Sequence, residues 1–455
     1  MVDDLRYYVV LRAADDVQRQ YKAENQDGIV RYIAEQLTHP ELARDHLITI
    51  KQEILPSNMV EAHTKGPHDL FPVDDSKIAH LVVPLTISNH DALAIIAKGV
   101  EENTAAFLGG GSDVPFSGAD HWCPSEAWDP IFADRAAAER LIGVDYLKGQ
   151  SGTTGQGVNV VVVDEGLNQA RLGSAYGSGW NVGSVLPGTA EPDPGSIRRN
   201  HGMMIAHNIQ QVARDVTFFD LPVVPWKISN VPAFLSTAQA LFQTMLYDIK
   251  NYRLGGKWSG PWVIVNPWAI FDTKTDLPPP NDYVNNPTHI FNQTIAGAVN
   301  NGIDVLFAAG NCGQFCPDFR CGGLDIGPGH SIFGANSIAE VLTVGAVRAD
   351  TKWLGYSSQG PGQSNLAHDK PDLCAASQFC DIDDAFSVNT GTSAACALAT
   401  GVVASLRSTP SGAGLSPQQL KALLIATARK IDSSVWNDRT GNGILDARAA
   451  YDALP

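Results

Sequence analysis

Val158-Asn159-Val160-Val161-Val162-Val163-Asp164-Glu165-Gly166 reads as a strand that is apolar on both faces and closes on a carboxylate. Four consecutive valines leave no alternation between core and solvent, so this strand expects cover on both sides. Runs of the same kind recur at 216–221, 262–265, 304–308 and 341–347. Helical patterns lie between and after them, at 201–213, 233–252, 290–301, 393–406 and 417–431. Apolar strands alternating with helices predict an α/β domain over residues 135–455: a doubly wound, mostly parallel sheet with helices on both faces. Functional groups in such a sheet belong at the carboxyl ends of strands and at the starts of the helices that follow.

Upstream the pattern changes. Residues 7–12 read as a strand and 28–38 as a helix that must stop before Pro40, because the residue ahead of a proline avoids the helical region. Strands at 46–55 and 77–88 and a helix at 91–106 complete a β-α-β-β-α order, which predicts a small α/β domain over residues 1–108. Residues 109–134 are rich in Gly, Ser, Asp and Pro and read as a linker.

A chain of 455 residues is too long for one comfortable core, which agrees with two units. With 44% hydrophobic and 18% charged residues it carries no signature of disorder. A net charge of -16 argues against nucleic acid or an anionic membrane as partner. The longest apolar runs have strand length, so no membrane span is expected. The start, Met1-Val2-Asp3-Asp4-Leu5-Arg6, lacks the basic and apolar regions of a secretory signal. That leaves the cytoplasm, or secretion by a signal outside this sequence. Of the seven cysteines, Cys312, Cys316 and Cys321 crowd one stretch, Cys374 and Cys380 form a close pair, and Cys123 and Cys396 stand alone. Three bridges with one free thiol, reduced cysteines in surface loops, and a zinc site made with His330 all remain open at this level.

Four residues sit where chemistry is expected. Asp164 ends its strand, held stiffly enough to orient an imidazole. His201-Gly202 opens a helix, with glycine permitting close backbone approach. Ser393, in Asn389-Thr390-Gly391-Thr392-Ser393-Ala394-Ala395, sits at a helix N-terminus among unpaired N–H groups. Asn311 follows Phe307-Ala308-Ala309-Gly310 at another strand end, where its amide could donate to an oxyanion. Each has a plainer reading: a turn Asp, a surface His, an N-cap Ser, a Gly-Asn turn.

Taken together, Asp164-Glu165-Gly166, His201-Gly202, Ala308-Ala309-Gly310-Asn311 and Gly391-Thr392-Ser393-Ala394-Ala395 resemble the four signatures of the subtilisin-like peptidases (subtilases), whose chain order is Asp, His, Ser. Tyr356-Ser357-Ser358-Gln359-Gly360, Lys370-Pro371-Asp372-Leu373-Cys374-Ala375 and Gly441-Asn442-Gly443-Ile444-Leu445-Asp446-Ala447 are similar to later segments of that family. The resemblance covers roughly residues 135–455. It implies a subtilisin-like fold and a serine endopeptidase with Asp164, His201 and Ser393 as triad and Asn311 as oxyanion donor. It also implies peptide or protein substrates, no cofactor for the chemistry, and structural calcium by family habit. Glu165 stands where Ser or Thr is usual, Met204 replaces a common second histidine, and Ala395-Cys396-Ala397 lacks the usual proline. These departures bear on pH optimum and family branch and remove no catalytic group.

By the same resemblance, 262–269 looks like the substrate-binding edge strand, with Asn266, Trp268 and Ala269 on one wall and Ala308, Ala309 and Gly310 on the other. Its plainer reading is a core strand. The N-terminal domain resembles a propeptide, which would dock on the active site; a permanent accessory domain is the alternative. An acid-acting sedolisin relative is disfavoured by His201 and Asn311, and an α/β-hydrolase by the missing second glycine of G-x-S-x-G. A catalytically silent peptide-binding scaffold is the rival outside enzymology.

Overall fold

Alternation decides the first sheet. In β1 (Leu5–Arg12), Tyr7, Val9 and Leu11 enter the core of the N-terminal domain, while Tyr8 and Val10 point into a core shared with later helices. The computed structural model describes residues 5–12, 14–50, 54–57, 80–118, 133–180, 195, 201–224, 233–381 and 388–455. After β1 come α1 (Asp15–Lys22), α2 (Gln26–Gln36), α3 (Glu41–Arg44), β2 (Ile48–Ile50), β3 (Leu55–Ser57), β4 (His80–Ile87), α4 (His90–Glu102) and β5 (Phe107–Ser112). The strands run in the order β2-β4-β1-β5, with β3 also on β4, and all pairings are antiparallel.

Three expectations change here. Helices α1 and α3 were not legible. The strand expected over 46–55 is two short strands, with residues 51–53 between them outside the described residues. The expected linker does not begin at 109, because Gly109–Gly111 belong to β5 and pair with β1. Their glycines answer close approach: a Cβ on Gly110 would lie 2.8 Å from Tyr7 and one on Gly111 2.3 Å from His289.

Onward from β5, the chain gives β6 (Pro115–Gly118), β7 (Asn159–Asp164), β8 (Tyr176–Gly179), α5 (His201–Val212), β9 (Thr217–Pro222), β10 (Ala233–Phe234), α6 (Leu235–Leu254), β11 (Trp262–Asn266), β12 (Trp268–Ala269), α7 (Ile290–Asn300), β13 (Ile303–Ala308), β14 (Leu342–Val347), β15 (Leu373–Ala376), α8 (Gly391–Arg407) and α9 (Pro417–Thr427). Seven of the described strands form one parallel sheet in the order β15-β14-β13-β11-β7-β9-β8. The expected doubly wound sheet is therefore present. The valines of β7 alternate between two cores: Val160 and Val162 face one with α5 and α8, Val161 and Val163 the other with α6 and α7.

Helix α8 is buried along its whole length. It runs against α5 closely enough that a Cβ on Gly401 would lie 2.6 Å from Val212. Edge strands β8 and β15 escaped the sequence reading, because Tyr-Gly-Ser-Gly and Leu-Cys-Ala-Ala are short and hold no β-branched residue. Helix α6 starts at Leu235, two residues later than expected, since Ala233–Phe234 is drawn out to pair with β6. No helix among the described residues is long and apolar enough to cross a membrane.

Candidate active site

The order β11-β7-β9 reverses direction about β7, and the carboxyl end of β7 is where such a sheet opens a crevice. Asp164 closes β7 there, 1% exposed, and its two carboxylate oxygens lie 2.9 and 2.7 Å from His201 Nδ1. His201 is the first residue of α5. The glycine after it is obligatory on steric grounds: a Cβ on Gly202 would fall 2.4 Å from the carbonyl oxygen of Gly166, in the turn after Asp164. The two motifs read separately in the sequence are thus one packing contact. Glu165 reaches the same turn, its Oε2 accepting from the His201 backbone N–H at 3.4 Å.

Ser393 lies in the first turn of α8, fully buried, and its Oγ donates to the Pro267 carbonyl at 3.0 Å. Asn311 follows Gly310, whose φ of 103° only glycine adopts without strain. The Asn311 Oδ1 accepts from Thr392 N at 3.0 Å and Thr392 Oγ at 2.9 Å, which fixes the amide beside the serine turn. Thr392 Oγ in turn accepts from Gly310 N at 3.1 Å.

The two segments expected as cleft walls are in contact. A Cβ on Gly310 would lie 3.2 Å from the Ala269 methyl. Asn336, which no sequence signal marked, donates to both the Trp268 carbonyl (3.0 Å) and the Ala308 carbonyl (2.9 Å) and so ties one wall to the other. Ala308 and Ala309 are buried, and Ala309 N donates to Val344 O. Asn266 is placed differently from expectation: it is fully buried, with Nδ2 donating to Leu306 O at 3.1 Å, and it fastens β11 to β13.

The first of the two expected wall segments is paired with another strand of this chain. β6 pairs antiparallel with β12 on one side, Trp268 opposite Gly118 and Ala269 opposite Ser117. It pairs with β10 on the other, Ala233 opposite Phe116 and Phe234 opposite Pro115. Phe116 packs on Trp268 with ring centres 4.2 Å apart, and a Cβ on Gly118 would sit 3.3 Å from His201 Nδ1. Residues 119–132 lie outside the described residues.

A second carboxylate stands behind the first. Asp220, on β9 and fully buried, accepts from Leu167 N at 3.0 Å and Gly195 N at 2.9 Å through Oδ2. Its Oδ1 has no hydrogen-bond partner among the described residues. Burial pushes it up to about 6 against the pull of those two N–H groups, and the nearby charge of Asp164 adds to the rise.

Cys312 and Cys321 form a disulfide, which removes both from the zinc site and from the reduced-loop reading. Cys374, Cys380 and Cys396 are free thiols, so three bridges do not form. Cys123 lies outside the described residues. The calcium implied by resemblance finds no group of three or more His, Cys, Asp or Glu side chains among the described residues.

Comparison with known proteins gives the family and the fold. The profile of the subtilase family matches residues 155–443, well over half of the chain. Among solved structures the chain is similar to fervidolysin from Fervidobacterium pennivorans, a keratinolytic enzyme related to subtilisin, with a TM-score of 0.56 and 13% sequence identity. That match covers 99% of this chain and 61% of fervidolysin, so the chain spans less than two thirds of that protein; at such identity the likeness speaks to the fold alone. No curated protein sequence matches.

Proposed function

The chain belongs to the subtilase family, and from that premise we propose that it is a serine endopeptidase working through an acyl-enzyme on Ser393. The observation that carries this reading is the His201–Asp164 pair at 2.7 Å, lying against a strand that is seated in the cleft as a substrate would be. His201 takes the proton of Ser393 as its oxygen attacks the scissile carbonyl. Asp164 holds the imidazole tautomer and stabilises the imidazolium. The Asn311 amide, its oxygen end held by Thr392, and the backbone N–H of Ser393 receive the oxyanion. His201 then protonates the leaving amine, and water releases the acyl group.

The same reading makes the N-terminal domain a propeptide that docks on the active site. Supporting it, β6 continues from β5 and lies between β10 and β12 as an added strand. Asp113, between β5 and β6, accepts from Ser236 N in the first turn of α6 at 3.0 Å and pairs with Arg6 at 2.9 Å. The bond to be cut then lies shortly after Gly118. The boundary between N-terminal and peptidase units accordingly falls within the span once read as linker.

The test is one substitution. Ser393→Ala is expected to abolish labelling by a fluorophosphonate probe, turnover of casein, and cleavage shortly after Gly118 as read by mass spectrometry. Undiminished labelling of that variant rules Ser393 out as nucleophile. A wild-type chain that binds peptides and turns none over would instead be the silent scaffold.

A further inference from the structure

Arg320 belongs to none of the signature segments, yet its side chain ends on β6. Nη1 donates to the carbonyl oxygen of Gly118 at 2.9 Å and to Ser117 Oγ at 3.1 Å. The guanidinium is aimed from behind. Nε and Nη2 donate to the two oxygens of the buried Asp318 at 2.9 and 2.7 Å, and the group lies over Phe271, 4.1 Å from the ring centre. A bidentate carboxylate partner of this kind fixes the fork's orientation as well as its charge.

The segment bearing Arg320 is tied down at both ends. Asp318 N donates to the carbonyl of Asn311 at 2.9 Å, and Gly322 N donates to the carbonyl of Phe271 at 2.8 Å. The Cys312–Cys321 disulfide closes the loop immediately beside Arg320 and immediately after Asn311. A flexible side chain loses little further freedom on binding when it is already immobilised in this way, which is how preorganisation raises affinity.

We propose that Arg320 is a substrate-positioning and specificity residue. It would hold the backbone carbonyl at the Gly118 position of any bound peptide and favour a hydrogen-bond acceptor on the side chain one residue before it. The assignment rests on reading β6 as a stand-in for substrate. The carbonyl is common to every peptide, so that bond aligns all substrates, whereas the bond to Ser117 Oγ discriminates among them. Because Asp318 already neutralises the guanidinium, what is offered is a directed N–H and not a free positive charge.

The test compares two peptides with the sequence of residues 113–122, one carrying Ser and the other Ala at the position of Ser117. The wild-type chain should favour the serine peptide by about tenfold in kcat/KM, mainly through KM, as a charge-assisted hydrogen bond supplies. Arg320→Gln should raise KM for both and handle the two peptides alike, and Arg320→Lys should restore the preference only in part. Equal handling by the wild-type chain overturns the assignment without recourse to any variant. So does a serine preference that survives in Arg320→Gln. Absence of both self-cleavage shortly after Gly118 and turnover of either peptide by the wild-type chain defeats the peptidase reading itself, and this assignment with it.

Discussion

Asp164, His201, Asn311 and Ser393 are set by buried backbone: a strand end, two helix starts, and glycines whose added Cβ would strike a neighbouring chain segment. β6, which lies along the same rim, is set by backbone pairing on both flanks, one ring contact and one guanidinium. In the first arrangement Asp164 is locked to His201, and Asn311 is locked to the turn of Ser393 through Thr392. The second could be reproduced by any peptide with an extended backbone and a small residue beside His201. That contrast is what a hydrolytic site needs: fixed chemistry and an exchangeable occupant.

The largest effect expected from the fixed half, short of losing the nucleophile, is at Asn311. Asn311→Ala should lower kcat by about 10²–10³, the loss that removal of one oxyanion donor produces in subtilisin. KM should change little, since the bond strengthens only as charge develops. A variant with unchanged kcat and raised KM would move Asn311 from the chemistry to the binding side of the comparison.

The exchangeable half is probed at Gly118. A Cβ there would press on the His201 ring at 3.3 Å, so Gly118→Val overfills the space where β6 passes the imidazole. Overpacking of this kind costs about 1–3 kcal/mol, and cleavage shortly after residue 118 should slow roughly 10–100-fold, with Gly118→Ala intermediate. The appearance of the shortened chain, followed by mass spectrometry, measures it. Processing of the valine variant at the parent rate would mean that β6 does not ride against His201 when the bond is cut.

The two halves also differed in how far the sequence announced them. Asp164, His201, Asn311 and Ser393 each sit in a local frame of strand end or helix start that has a plainer reading alone, and it is the resemblance of the four frames together to the subtilase signatures that singles them out. β6 could not be picked out, because Pro-Phe-Ser-Gly acquires its strand character only from β10 and β12, which are distant in the chain. Gly109–Gly111 misled for the same reason: flexibility and close approach use the same residue, and only the positions of Tyr7 and His289 decide between them. Asn336 and Arg320 act on backbone carbonyls far along the chain, contacts that no spacing rule encodes. Asn266 shows the converse, a residue in a signature strand whose side chain turned out to fasten the sheet.

The rigidity of the fixed half has a cost that β6 does not share, and it is carried by Asp220. Its folded value of about 6 lies above the ordinary unfolded carboxylate value of about 4. Between those values the native state holds a proton that the unfolded chain has released, so this group's contribution to stability falls as pH rises through the window. About two pH units correspond to an order of 3 kcal/mol lost between pH 4 and pH 7. Asp220→Asn cannot ionise, and its side-chain oxygen can still accept from Leu167 N and Gly195 N. Measured by urea unfolding in a Ser393→Ala background, which prevents self-digestion, the variant should gain about 1–3 kcal/mol over its parent at pH 7 and almost nothing at pH 4. Asp276, also raised to about 6 by burial, leaves a residual slope in both chains. A difference of the same size at both pH values would mean that ionisation of Asp220 is not what burial penalises, and the stiffness of the rim would then have to be accounted for without it.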